Sequence, residues 1–388
     1  MQQEFKPFEE KGIDINKQYK SFDNQLIRKP FDKKDTDAYT KCRVVLMNGI
    51  ENACNITLHE MARQTTDYNI KKALAMIRRA EQQQQMAINW LNPADQTVLE
   101  TTITFEQVAV DLTANLARNE SNLEAKKVYD FALLEDFDHL LRYSYLLKMV
   151  EGESAADLLQ GKTDLRDGRP TWDEHRHPYD SMMQHYNRTD SIKTKLNALT
   201  ITSAEQQTMF YYREHGNAYK DSMARQLFAE IAEIEEQHVS QYECLFDASW
   251  TPLERLCLMQ VNEAYNYFSC MQTETDERIR KIWEECYYME LEHLRIAGDL
   301  LKNLEGNDIH SIIPYSISPL VVFEPNKEYI NQVIQETVNW RPCDMKFVNK
   351  DQLPSDWPSF AYAEQVRGTG FPSQIITDKA KREWKMAA

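Results

Sequence analysis

Apolar residues recur at three- and four-residue intervals over two long stretches of the chain, from about residue 38 to 150 and from about 203 to 304. That period is the mark of helices with one buried face. Clusters of turn-forming residues interrupt each stretch. In the first they fall near 66–69, at 92–95 and at 119–122; in the second they fall near 216–217, at 247–252 and near 275–276. The pattern predicts four helices in each stretch, those of the first roughly 20–28 residues long. Residues 1–36 are polar, contain Pro7 and Pro30, and read as an N-terminal arm. The helical blocks, 37–151 and 203–304, are joined by a connector, 152–202, that contains GKTDLRDGRP and HRHP. The tail, 305–388, carries Pro314, Pro319, Pro325, Pro342, Pro354, Pro358 and Pro372. It is expected to be an irregular extension with one helix around 328–338.

Composition narrows the class. With 10 glycines and 13 prolines in 388 residues, an all-β chain rich in tight turns is disfavoured and an all-α one expected. The formal charge of −16 argues against nonspecific nucleic-acid binding and against anionic membrane surfaces. It suits a chain that gathers carboxylates around a cation. No stretch of about 18 apolar residues exists, so no membrane span is expected. The first residues lack the apolar core of a signal peptide, and a cytoplasmic location is the expectation. The cysteines are seven, an odd number, with no CxxC pair. That disfavours a disulfide framework or a zinc-ribbon module and leaves them as small buried hydrophobes.

The candidate chemistry lies in the second block. It holds two Glu-x-x-His motifs, Glu235-Glu236-Gln237-His238 and Glu290-Leu291-Glu292-His293. Positions i and i+3 share a helix face, so carboxylate and imidazole can meet one metal. The helix between them offers Glu263 and the helix before them Glu205. The order Glu, ExxH, Glu, ExxH is the ligand set of two hard-to-borderline cations bridged by carboxylates inside a four-helix bundle. Glutamates on amphipathic helices usually form a solvated face. Here Glu235, Glu263 and Glu290 stand in apolar surroundings, within IAEIEEQHV, MQVNEAYNYF and CYYMELEHL. Inward acids without a partner cost several kcal/mol each.

The first block repeats the pattern with changes. Adding 154 to Glu51, Glu81, Asp136 and His139 gives Glu205, Glu235, Glu290 and His293; only Glu106 slips, pairing with Glu263. This reads as a duplicated helical unit. Where His238 stands the first block has Gln84, a poor ligand for a divalent metal. Asp136 replaces a glutamate, and Glu135 is the alternative to it through its i,i+4 relation to His139. Residues on antiparallel helices are level when the turn lies midway between them, and the midpoints of successive acids fall on or near the turn clusters. The acids of each block are thus expected in one layer. Only about 4–9 residues are left for the loop between second and third helices, too few to return along a helix of about 30 Å. Up-down-up-down order is expected in the first block and then in the second. The alternative is that hairpins of the two halves pair with each other.

The motifs resemble those of the ferritin-like superfamily of di-iron and di-manganese carboxylate proteins, which includes rubrerythrins, bacterioferritins and di-iron oxygenases. Residues 203–304 carry the resemblance, with 37–151 as a degenerate copy. It implies two tandem ferritin-like four-helix bundles. It also implies two iron ions, or manganese, in the second bundle, held by Glu205, Glu235, His238, Glu263, Glu290 and His293. The first set, Glu51, Glu81, Gln84, Glu106, Asp136 and His139, is expected to hold one metal, hold two loosely, or be a relic. The implied activity is that of an O2-dependent oxygenase or oxidase acting on a small organic substrate, and a homodimer is compatible with it. The alternatives are a di-manganese catalase or peroxide reductase, and a non-enzymatic metal-binding or assembly protein. The resemblance to rubrerythrins is incomplete: Glu263-x-x-Asn266 lacks their additional glutamate, and the rubredoxin cysteines are missing. Tyr267 and Tyr287 are either core filling or redox-active, and His175, His177 and His185 form a weaker candidate cluster.

Overall fold

Asp37, Asp67, Thr97, Asn122, Asp221, Thr251 and Asp276 each accept hydrogen bonds from backbone N–H groups of the turn that follows, and each begins a long helix. The computed structural model describes residues 4–21, 31–183 and 190–385. In chain order its helices are α1 (Ile15–Gln18), α2 (Ala38–Gln64), α3 (Tyr68–Asn89), α4 (Val98–Asn119), α5 (Leu123–Val150), α6 (Ala155–Leu159) and α7 (Ile192–His215). They continue with α8 (Ser222–Glu243), α9 (Pro252–Thr273), α10 (Glu277–Glu305), α11 (Lys327–Thr337), α12 (Pro358–Arg367) and α13 (Pro372–Lys385). The described chain is mostly helical, as expected. Its one sheet is an antiparallel pair, β1 (Trp340–Cys343) and β2 (Lys346–Asn349), with Trp340 opposite Asn349.

The helix ends carry the duplication further than the acids did. Asp67 and Asp221, Asn122 and Asp276, and Thr97 and Thr251 are all 154 apart. Thr97 and Glu100 form a reciprocal cap on α4, and Thr251 and Glu254 form the same cap on α9. The Thr97 hydroxyl also donates to Glu151 (2.7 Å), and that of Thr251 to Glu305 (2.8 Å). Gly152 and Gly306 follow those glutamates with φ of 76° and 72°, the left-handed conformation that ends a helix at least cost to glycine. The offset therefore does not slip in the third helix. Gln260, not Glu263, occupies the position equivalent to Glu106.

The chain divides into two compact units, and they are not its two halves. Unit 1 comprises Met1–Asp95, Asn187–Ser203 and Asp247–Phe323; unit 2 comprises Gln96–Tyr186, Ala204–Phe246 and Glu324–Ala388. Unit 1 thus holds the hairpins α2–α3 and α9–α10. Unit 2 holds the hairpin α4–α5 together with α8 and residues 204–215 of α7. The blocks expected at 37–151 and 203–304 cut across both units, and α2 to α5 do not form the expected up-down-up-down assembly. The short links permit this exchange, as they permit the expected order, and exclude only a crossover. Residues 90–97 join α3 to α4 and can span about 26 Å, whereas helices of 22 residues are about 33 Å long. A link that short cannot carry α4–α5 back alongside α2–α3 in the same sense. Each hairpin pairs with one from the other repeat.

Three segments depart from expectation. α7 begins at Ile192, inside the expected connector, rather than near 203. The tail holds α11 as expected but also β1, β2, α12 and α13, because Pro358 and Pro372 occupy first helical positions, where proline fits, rather than interrupting helices. Ser373, Ile376, Thr377 and Ala380 then bury one face of α13 in unit 2. The arm is docked: Phe5 is fully buried among Tyr265, Phe268 and Tyr287, and Ile13 N–H donates to the Tyr288 carbonyl (2.8 Å). No described helix is long and apolar enough to cross a membrane. All seven cysteines are free.

Thr97→Ala and Thr251→Ala should each lower stability by about 1 kcal/mol through loss of equivalent caps. In the double variant the losses should add to within about 0.5 kcal/mol. Urea unfolding midpoints of the three variants check this.

Candidate metal centre

Four helices of unit 2 aim acids and imidazoles at one place. Glu106 comes from α4, Asp136 and His139 from α5, Glu205 from α7, and Glu235 and His238 from α8. All are buried, Glu205 being 1% exposed and the other five 0%. One ligand atom from each of Asp136, Glu205, Glu235 and His238 lies within 4.8 Å of the others, and the same holds for Glu106, His139 and Glu235. Glu235 is common to both groups. Its Oε1 lies 3.2 Å from His139 Nδ1 and its Oε2 3.1 Å from His238 Nδ1. Asp136 Oδ1 is also 3.2 Å from His238 Nδ1, yet neither Asp136 oxygen accepts a hydrogen bond. Glu106 Oε2 and Glu205 Oε2 are likewise buried without one. Such oxygens need a cation or a proton.

The far nitrogen of each imidazole is held. His139 Nε2 meets Glu174 (2.9 Å), and His238 Nε2 meets Glu135 (2.7 Å). A proton kept on Nε2 by these carboxylates would leave Nδ1 as the donor to a metal once its own proton is displaced. Arg176 grips both Glu135 oxygens (2.9 and 3.1 Å), and Arg169 lies 3.5 Å from Oε1. Burial disfavours the Glu135 charge, but Arg176, His238 and Arg169 hold its carboxyl well below the usual range. The connector is seated by Asp138, which accepts from Arg142 (2.6 and 2.8 Å) and from the N–H and hydroxyl of Thr171 (2.7 and 2.8 Å). Gly168 lets it approach α5, since a side chain there would come within 2.4 Å of the Leu134 carbonyl oxygen. Tyr212 donates to Glu106 Oε1 (2.5 Å).

Charge is uneven within the cluster. Burial pushes Glu106 and Glu205 well above the normal carboxylate range, and the neighbouring acids push them further. Burial also raises Glu235, but the two imidazoles outweigh it and hold that group down at about 2. His139 and His238 are raised well above the ordinary histidine value, the surrounding carboxylates overcoming burial. Without a cation the cluster holds protons in its place.

Unit 1 has an altered version. Glu51 comes from α2, Glu81 and Gln84 from α3, Glu263 from α9, and Glu290 and His293 from α10. His293 Nδ1 lies 3.0 Å from Glu290 and 3.1 Å from Glu81, while its Nε2 meets Gln18 of α1 (2.6 Å). Gln84 donates to Glu290 (2.7 Å), and Tyr267 donates to Glu51. Burial and Glu81 raise Glu290 to about 7.

The twelve residues singled out from sequence are thus brought together, but in different sets. Glu205, Glu235 and His238 join Glu106, Asp136 and His139. Glu263, Glu290 and His293 join Glu51, Glu81 and Gln84. The contrast between a complete second-half site and a degenerate first-half one is replaced by a two-histidine cluster in unit 2 and a one-histidine cluster in unit 1. Glu135 is not a substitute for Asp136: it lies beyond His238, on its Nε2 side. Tyr287 packs among aromatic rings, as core filling. His175 pairs with Glu230 (3.1 Å), and His177 accepts from the Tyr179 N–H; His185 lies outside the described residues. Sequence reasoning missed Glu174, Arg176, Gln18, Cys54 and Gln260. Cys54 is three residues after Glu51, on the same face, and Gln260 is 154 after Glu106, so those two had a signal. Glu174, Arg176 and Gln18 had none, since only the folded connector and arm bring them in. Comparison with family models, with curated proteins and with solved structures finds no match to the chain.

Divalent metal taken up by unit 2 must displace protons from Glu106, Glu205 and the imidazoles. Uptake should therefore release protons, and affinity should rise as pH rises through the raised range of these groups. Titration calorimetry in buffers of different ionisation enthalpy measures the release, and heats independent of buffer would contradict it.

Proposed function

We propose that the chain is a ferritin-like di-metal carboxylate oxidoreductase, reacting with O2, whose active centre is the cluster of unit 2. The observation that carries this reading is the sharing of Glu235 between two convergent ligand groups, each with its own imidazole. One group offers Glu106, His139 and Glu235, the other Asp136, Glu205, Glu235 and His238. The all-oxygen-and-imidazole donor set and the unpartnered buried oxygens fit two divalent ions of the iron or manganese class. In this reading both units are four-helix bundles, each built from two hairpins that carry a glutamate and an acid-x-x-(His/Gln) pair.

When bound, a pair of ferrous ions supplies O2 with two electrons at one place. The protein's own contributions are positional and electrostatic. Glu135 and Glu174 fix the imidazole tautomers, with Arg176 and Arg169 keeping Glu135 charged. Tyr212 orients Glu106. Around them Phe137, Leu140, Leu227 and Ile231 are buried in one core and keep bulk water from the centre. A small organic molecule is the proposed substrate.

The test is metal analysis of protein prepared without oxygen and loaded with Fe(II), followed by exposure to O2. Iron should bind at unit 2 and oxidise rapidly with O2 consumption, and a Glu235→Ala/His139→Ala variant should lose both properties. Exclusive manganese retention with peroxide dismutation would move the reading to a catalase. Inert, sub-stoichiometric metal would move it to a structural scaffold.

A further inference from the structure

Unit 1 also contains a donor of a kind absent from the unit 2 groups, a thiol. Cys54, on α2 one turn after Glu51, places its Sγ beside Glu81 of α3 and Glu263 of α9, and one ligand atom of each lies within 4.8 Å of the others. All three residues are at most 1% exposed. The Gln260 side chain fills the middle of this group. Its Nε2 lies 3.2 Å from Cys54 Sγ, 3.2 Å from Glu81 Oε1 and 2.6 Å from Glu263 Oε2. An amide nitrogen has two hydrogens, so it cannot serve three acceptors fully. Meanwhile Gln260 Oε1, Glu263 Oε1 and Glu81 Oε2 are buried with no hydrogen-bond partner. The amide nitrogen stands in for a cation, and its own oxygen faces away unsatisfied.

We infer that unit 1 binds a thiophilic divalent cation of the zinc class through Cys54, Glu81 and Glu263, the cation taking the position that the Gln260 amide nitrogen now fills and the amide swinging aside. The protein donors are one sulfur and two carboxylates, a three-ligand set that zinc accepts with water in the fourth position. The thiol proton leaves to solvent as the sulfur–metal bond forms, so no oxidant or reductant is involved. Sulfur also separates the two units by preference, since thiolate selects softer ions than an oxygen-and-imidazole set does. This goes beyond the reading of unit 2 and does not depend on it. The bland account is that Cys54 is a small apolar filler and Gln260 merely ties down two acids.

The two accounts separate in the full-length Glu235→Ala/His139→Ala protein, whose unit 2 centre is disabled, titrated with Co(II) under reducing, anaerobic conditions. One equivalent should bind with a thiolate-to-cobalt charge-transfer band in the near ultraviolet, and Zn(II) should displace it. Cys54→Ser should abolish the band and weaken binding about tenfold or more. Cobalt bound without the band, or equal affinity in Cys54→Ser, would overturn the inference, as would no binding at all. Should that variant fail to fold, zinc-edge X-ray absorption of the wild-type chain decides instead. A sulfur scatterer at about 2.3 Å supports the site, and a shell of oxygen and nitrogen alone refutes it.

Discussion

Glu235 is fully buried and has two imidazoles to answer it, one on each carboxylate oxygen, at 3.2 and 3.1 Å. Taking such a charge out of water costs several kcal/mol unless positive charge or hydrogen bonds replace the solvent. Most features of unit 2 serve that replacement. The imidazoles are held in register by Glu174 and Glu135, Glu135 by two arginines, and the connector that supplies them by Asp138 on α5. Around Glu235, three further acids keep oxygens that no described group satisfies. A cluster so arranged is a poor way to stabilise a fold and a good way to hold cations.

The hairpin exchange preserves this arrangement. A repeat of four helices with links of eight residues, such as 90–97, cannot close into an assembly that needs a long crossover. Pairing the first hairpin of one repeat with the second of the other gives each unit its complement of acids from both repeats. It also redistributes the substitutions. His238 and His139 come from different repeats and meet in unit 2. Gln84 and Gln260, the two replacements of a ligand-type residue by an amide, meet in unit 1. The divergence that looked like decay of the first repeat is therefore divergence of one unit from the other, with Cys54 drawn into the altered one.

Much of this was legible in the sequence, for physical reasons that can be named. Helix boundaries followed from turn clusters and caps, and the acids from their flanking apolar residues. The level spacing about each turn identified which residues share a layer. What could not be read was partner choice between hairpins, which depends on how far a link reaches in three dimensions; the short links excluded a crossover but left two outcomes open. The third-helix offset was misread because Glu263 matched Glu106 in residue type, while the caps at Thr97 and Thr251 show that Gln260 matches it in position. The tail was misread because Pro358 and Pro372 were counted as breakers although each stands at a helix start. Glu174 and Gln18 lie in segments without periodicity, and only folding brings them to an imidazole.

Anomalous diffraction from a crystal, collected at the iron and manganese edges, tests the central claim most directly. The account predicts two peaks flanking the Glu235 carboxylate, one near Glu106 and His139, the other near Asp136, Glu205 and His238. Absence of both peaks from a metal-replete crystal, or peaks on ligands drawn from 203–304 alone, would contradict it.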